Sequence, residues 1–171
     1  MQWSCHVETA PGQLAHHAFL AKGGDDPRRA FAETLLDTVG DAGAVFVYNR
    51  GFEVGRLREL AQTYPDLVPI LTALIARVVD LKPLTERYYC HPAMKGGGSL
   101  KAVLPTIAPD LDYGELAIGD GNAASGAWRE LYHPETPIER CAELRVALAE
   151  YCCRDTLALV RLAGFLAETP P

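Results

Sequence analysis

AVFVYNRGFEVGRLREL, Ala44 to Leu60, is the stretch on which the fold reading turns. Ala44 to Tyr48 is a short run of β-branched and aromatic residues, the signature of a buried strand. Asn49, Arg50 and Gly51 break it. From Phe52 the apolar period becomes helical, with Val54, Leu57 and Leu60 three apart. Glu53 therefore stands where a core strand passes into a helix. In open α/β sheets, ligand sites gather at the carboxyl ends of strands. An acid in a first helical turn also has a plain role, facing the positive end of the helix dipole.

Toward the N-terminus, Trp3, Cys5 and Val7 alternate with Ser4, His6 and Glu8, as a strand does. Pro11-Gly12 is a turn. Leu14 to Ala21 pairs back as the second arm of a hairpin, with Phe19 and Leu20 inward. His16 and His17 are neighbours, so on a strand they point to opposite faces and cannot share one metal; they read as exposed edge groups. Asp26 is a helix cap with Pro27 at the first position. Phe31, Leu35 and Val39, with Ala32 and Leu36, form the apolar face of that helix, and Gly40 and Gly43 end it.

Toward the C-terminus, the helical pattern runs to about Tyr64, where Pro65 interrupts it. Leu67 to Arg77 is a second helical piece, and Val78 to Leu81 a short strand. Asp80, at its end, reads as a turn residue rather than a ligand. Lys95-Gly96-Gly97-Gly98-Ser99-Leu100-Lys101 is a glycine-rich approach to a helix starting near Ser99. Such a turn can receive a phosphate on its backbone N–H groups, and two flanking lysines fit contact with a nucleic-acid backbone. The spacing is not that of a Walker loop. Pro105 to Tyr113 is a turn region. Asp120 caps a helix over Ala123 to Leu131, and Pro137 opens a long final helix, Ile138 to about Ala167. Its core face includes Leu144, Leu148, Tyr151, Leu159 and Leu162. Tyr151 and Asp155 lie four apart on one face, where they can hold a water or metal between them. The plain alternative pairs Asp155 with a surface arginine.

Composition bounds the class. A chain of 171 residues, 49% hydrophobic and 22% charged, fits one globular domain, 1–171. A formal charge of -6 argues against coating nucleic acid by bulk electrostatics, but not against a carboxylate-based nuclease whose metals supply positive charge. Five cysteines without a C-x-x-C pair read as reduced thiols. No run has transmembrane length and the N-terminus is not a signal peptide, so a cytoplasmic location is expected.

A strand ending N-x-x-F-E and a late helix carrying Y-x-x-x-D resemble the second and third motifs of the ribonuclease-H-like 3′–5′ exonucleases, in their tyrosine branch. Asn49, Phe52 and Glu53 match the second motif, which usually carries Asp rather than Glu. Tyr151 and Asp155 match the third. The chain also resembles a prokaryotic family of unknown function with this fold, through Tyr48 to Glu53, His91 to Pro105, Asp120 to Ser125 and Tyr151 to Thr156.

The resemblance implies an α/β fold, a mixed sheet flanked by helices, with Glu53 and Asp155 converging at one end of that sheet. It implies a metal-dependent exonuclease site using Mg²⁺ or Mn²⁺. Asp155 would ligate the ion that activates water, Tyr151 would position that water, and Glu53 would act near a second ion. Asn49, Phe52, Lys95, Gly97, Ser99 and Lys101 would contact the substrate, a nucleic acid and preferentially a single strand. The family's first motif, D-x-E, has no counterpart ahead of Trp3. On that ground the chain is expected to lack the first strand, to be inactive as it stands, to bind metal weakly, and to associate through exposed strand edges. The alternative is a non-catalytic module on the same fold that binds nucleic acid or protein. A Cys90-His91 hydrolase is a poor reading, since adjacent residues rarely face each other and no orienting group follows.

Overall fold

An antiparallel hairpin opens the chain: β1 (Gln2–Ala10) and β2 (Gln13–Leu20), turned at Pro11-Gly12, where Gly12 takes a left-handed φ of 78°. The computed structural model describes residues 1–111, 113–114 and 116–168. Helices cover both faces of the hairpin. On one, Trp3 and Phe19 are cross-strand neighbours with ring centroids 6.4 Å apart, and Phe19 meets Phe31 edge-on at 6.0 Å. Phe31 lies on α1 (Arg28–Val39), and the Trp3 indole N–H donates to its carbonyl at 3.2 Å. The other face lies on the long last helix, α7 (Ile138–Glu168). There the Gln2 amide donates to Leu148 O at 3.1 Å and Ser4 Oγ to Cys152 O at 3.2 Å. Alternate strand positions meet successive helical turns, the period of two meeting the period of about four. Phe19 and Leu20, both expected inward, thus enter different cores on opposite faces.

The second sheet is β3 (Val45–Val47) paired in parallel with β4 (Val78–Asp80), in register from Val45 opposite Val78 to Val47 opposite Asp80. The crossover is α2 (Arg50–Thr63), a 3-10 turn at Pro65–Leu67, and α3 (Val68–Ala76). Val54, Leu57 and Leu60 are buried as their spacing predicts. The expected single mixed sheet is corrected: the described residues form two separate two-stranded sheets. Three-residue strands offer few ladder bonds to recruit a further strand, and the hairpin is held by side chains on α1 and α7 instead.

Side chains flanking β4 anchor both ends of β3. Before it, the Arg77 guanidinium donates to the carbonyls of Gly40, Ala42 and Gly43, and Arg77 O accepts from Val45 N at 3.0 Å. Beyond it, the Asp80 carboxylate accepts from Asn49 N at 3.0 Å, Arg50 N at 2.8 Å and Lys82 N at 3.0 Å. Asp80 is also the N-cap of α4 (Leu81–Tyr88). Asn49 sits at φ 87°, a left-handed conformation that Asn tolerates better than most residues.

Two further helices lead to α7. Ser99 caps α5 (Leu100–Ile107), accepting from Ala102 N at 3.3 Å. This helix continues through Pro105, where a turn was expected. A proline there removes one helical bond, while the helix sets Val103 and Leu104 in full burial. Asp120 caps α6 (Gly121–Leu131), accepting from Asn122 N and Ala123 N at 2.8 Å each. Asp26 accepts from Arg28 N at 3.0 Å, with Pro27 in the cap position rather than the first turn. Leu144, Leu148, Tyr151 and Ala158 of α7 join Leu104 and Leu131 in one core, and Leu162 joins Leu81 and Val103 in another. All five cysteines are free thiols. Among the described residues, no helix is long and apolar enough to cross a membrane.

Asp80 is the testable joint. Burial alone would raise its pKa, but the N–H groups of Arg50, Asn49 and Lys82 outweigh that and hold it below the usual carboxylate value. Asp80→Ala leaves three donors without this acceptor and is expected to cost about 1–3 kcal/mol. Because the native pKa is depressed, the stabilisation is present above the unfolded pKa and is lost as pH falls through the native one. Urea midpoints of wild type and Asp80→Ala should therefore converge in acid; a gap that is constant down to acid pH would show that the carboxylate charge is not what holds the turn.

Candidate functional site

Tyr48 ties the strand-to-helix turn to the glycine-rich loop. Its hydroxyl donates to Gly98 O at 2.7 Å, and its ring packs on Leu81, Val103 and Leu162. Gly97 and Gly98 sit close to neighbouring atoms, while Gly96 is in open space and is set by its left-handed backbone. A Cβ on Gly98 would come within 2.8 Å of Glu86 Oε1 on α4, and one on Gly97 within 3.1 Å of Met94 O. Lys95 and Gly96 are both left-handed, at φ 50° and 77°. Ser99, expected at a substrate, has its hydroxyl engaged as the cap of α5.

From the first turn of α5, Lys101 reaches the third motif. Its ammonium donates to Gly119 O and lies 5.0 Å from the Tyr113 ring centroid and 5.1 Å from that of Tyr151. Those two rings are 6.2 Å apart. The Tyr113 hydroxyl donates to Asp155 Oδ1 at 2.7 Å. Lys101, Tyr113, Tyr151 and Asp155 thus form one cluster. Gly121, at the start of α6, borders it: a Cβ there would lie 4.0 Å from the Tyr151 hydroxyl.

The electrostatics follow from burial. Tyr113 is 9% exposed and Tyr151 7%. Burial pushes both phenols above their ordinary pKa, and the Asp155 carboxylate adds to the shift by hydrogen bond and by charge. Both therefore stay protonated and can donate. The N–H groups of Ala123 and Asn122 hold the Asp120 carboxyl below its usual range, with a smaller contribution from Lys101.

The second-motif residues lie at the head of α2. Phe52 is 60% exposed, with the Arg56 guanidinium 5.6 Å from its ring centroid. Glu53 is exposed by surface area yet crowded by protein atoms, and that desolvation raises its carboxyl pKa. Asn49 is held through its backbone N–H by Asp80. The structure brings Lys101 onto the rings of Tyr113 and Tyr151, and Tyr113 bonds Asp155. It joins Asn49, Phe52 and Glu53 to them through Tyr48, Gly98 and α5. Among the described residues, no three His, Cys, Asp or Glu side chains lie where they could hold one metal ion, so these donors alone do not make a cage for Mg²⁺ or Mn²⁺.

Sequence reasoning missed Tyr113; it placed Asp80 rightly as a turn residue but not its bonds to Asn49 and Arg50. Tyr113 ends an irregular stretch with no period to place it, and Asp80 reads as an ordinary turn acid. Cys90 is exposed, and His91 Nδ1 accepts from Ala93 N at 3.2 Å as a turn cap.

Residues 1–99 match the model of a domain of unknown function, DUF2779, and the chain belongs to that family. The match spans the hairpin, Glu53, Asp80 and Lys95. No curated protein and no solved structure matches the chain.

Spectrophotometric titration tests the cluster. Tyr113→Phe and Tyr151→Phe should each remove a phenol that ionises above the ordinary tyrosine pKa of 10. Loss of a step at the ordinary value instead would place that ring in water, away from Asp155.

Proposed function

Starting from membership of the DUF2779 family, we propose that this chain is a ribonuclease-H-like domain of exonuclease type that binds a single-stranded nucleic acid. The observation that supports this reading is the unbroken run of contacts from the Tyr48–Glu53 turn through Gly98 to Lys101, and from Lys101 to Tyr151 and Asp155. Two stretches that resemble the exonuclease motifs, Asn49 to Glu53 and Tyr151 to Asp155, are linked in the fold through the glycine-rich loop and Lys101.

Each residue has a chemical part. Exposed Phe52 offers a stacking surface for a base, with Arg56 beside it. Lys95 and Lys101 supply positive charge to a phosphate; Lys101 keeps donor capacity beyond its bond to Gly119, since an ammonium has three. Glu53 and Asp155 are the carboxylates that would ligate Mg²⁺ or Mn²⁺, with Tyr151 beside Asp155 to orient a water. A hard divalent ion needs several oxygen ligands at once, and two carboxylates fall short of a two-ion site. We therefore assign this chain binding, with hydrolysis waiting on ligands beyond its described residues.

Fluorescence anisotropy with a labelled single-stranded oligonucleotide, across a salt series, tests this. Lys95→Ala and Lys101→Ala should weaken binding to all sequences alike, each lowering the slope of log K against log salt by about 0.7–1. Phe52→Ala should cost about 1–3 kcal/mol with the slope unchanged. Absence of binding at low salt would favour the second reading, a protein-interaction module on the same fold. Mn²⁺-dependent shortening of the 3′ end, abolished by Asp155→Asn and Glu53→Gln, would show instead that the chain is a complete nuclease.

A further inference from the structure

The hairpin register sets His6 directly opposite His16, on the face that lies on α7. Their ring centroids are 4.8 Å apart and the planes are tilted by 41°. One nitrogen of each ring is engaged. His6 Nδ1 lies 2.9 Å from Thr156 Oγ1, and His16 Nε2 lies 2.8 Å from Ser4 Oγ. The two hydroxyls are 3.2 Å from each other.

One arrangement of the hydroxyl protons leaves the other two nitrogens bare. The Thr156 hydroxyl has the carbonyls of Cys152 and Cys153 as acceptors, at 3.1 and 3.2 Å, and the Ser4 hydroxyl has Cys152 O at 3.2 Å. With both hydroxyl protons on carbonyls, each hydroxyl oxygen is free to accept from a ring N–H. His6 then carries its proton on Nδ1 and bares Nε2, while His16 carries its proton on Nε2 and bares Nδ1. A neutral imidazole with one N–H donated to a protein oxygen and the other nitrogen bare is the form in which histidine binds metals. Burial, and the other ring's charge for His6, lower the pKa of this ring; burial and His17 lower that of His16.

We propose that His6 and His16 form a binding site for a transition-metal ion of the Zn²⁺ type, with Thr156 and Ser4 orienting the rings and water completing the coordination. The spacing fits. At a Zn–N distance of about 2.0–2.1 Å, two imidazoles on one tetrahedral ion have centroids roughly 5 Å apart. Imidazole donors select Zn²⁺, Ni²⁺ or Cu²⁺ over Mg²⁺ and Mn²⁺, so the site is chemically distinct from Glu53 and Asp155. Among the described residues no third His, Cys, Asp or Glu joins the pair, which makes the site open and exchangeable. An ion there links β1 to β2 and, through the hydroxyls, holds both to α7 one residue from Asp155.

The test uses the whole chain and ZnCl₂. Long-range ¹H–¹⁵N spectra of the wild type should show His6 and His16, of the five histidines, in opposite tautomers, and Zn²⁺ should move those two ring signals. Calorimetry should give one Zn²⁺ per chain. His6→Gln or His16→Gln should each weaken binding tenfold or more, Ser4→Ala by about tenfold, and His17→Gln not at all. Mg²⁺ should move neither ring. Uptake at other histidines or thiols, or Zn²⁺ affinity unchanged in both His6→Gln and His16→Gln, overturns the proposal. The spectra are read on the wild type, so a variant that fails to fold cannot rescue it.

Discussion

The Asp80 carboxylate, accepting three backbone N–H groups from two segments, is the joint on which this architecture rests. A parallel pair of three-residue strands is marginal by itself. Here the residues flanking β4 secure it at both ends: Arg77 gathers the loop before β3, and Asp80 gathers the turn after it. The same carboxylate starts α4 through Lys82 N, so α2 and α4 leave the sheet from one anchored point. Asn49 can stay in a left-handed conformation because its N–H is satisfied there. That turn presents Phe52 and Glu53.

The second organising element is α7, whose length lets it serve several jobs in series. Leu144, Leu148 and Tyr151 close one core, and Leu162 closes another with Val103 and Leu81. Leu148, Cys152 and Thr156 offer oxygens at one-turn intervals to Gln2, Ser4 and His6. Tyr151 and Asp155 lie among these packed positions, which is why their geometry is set by the fold and not by a loop. The hairpin and the candidate site are therefore supported by the same three turns of helix.

Within the site, a carboxylate is met by a neutral phenol where a cation would be the commoner partner. Tyr113 donates to Asp155, while Lys101 sits over the ring faces of Tyr113 and Tyr151. The ammonium thus stabilises the aromatic floor without neutralising the acid. A ligand that needs Asp155 Oδ1 shares that oxygen with the Tyr113 hydroxyl, and one that needs Lys101 finds it already positioned beside Tyr151. On a chain of net charge -6, this placed cation matters more than the overall field.

Most of the elements were legible in the sequence, because their signals are local. Alternation marked the hairpin, the change of period after Tyr48 marked β3 and α2, the glycine-rich approach marked the start of α5 near Ser99, and a cap residue marked α6 at Asp120. Tyr151 and Asp155 could be placed on one face from spacing alone, and Glu53 at the end of a strand. What tertiary structure decided is everything that depends on contacts between segments far apart in the chain. Two separate sheets replace the expected single one because burial on α1 and α7 won over further strand pairing. Asp80 becomes a joint, Tyr113 a partner of Asp155, and His6 a partner of His16, since a side chain's hydrogen-bond partners come from whichever backbone the fold brings near. Periodicity shows which way a residue faces along its own element; only packing shows what it faces.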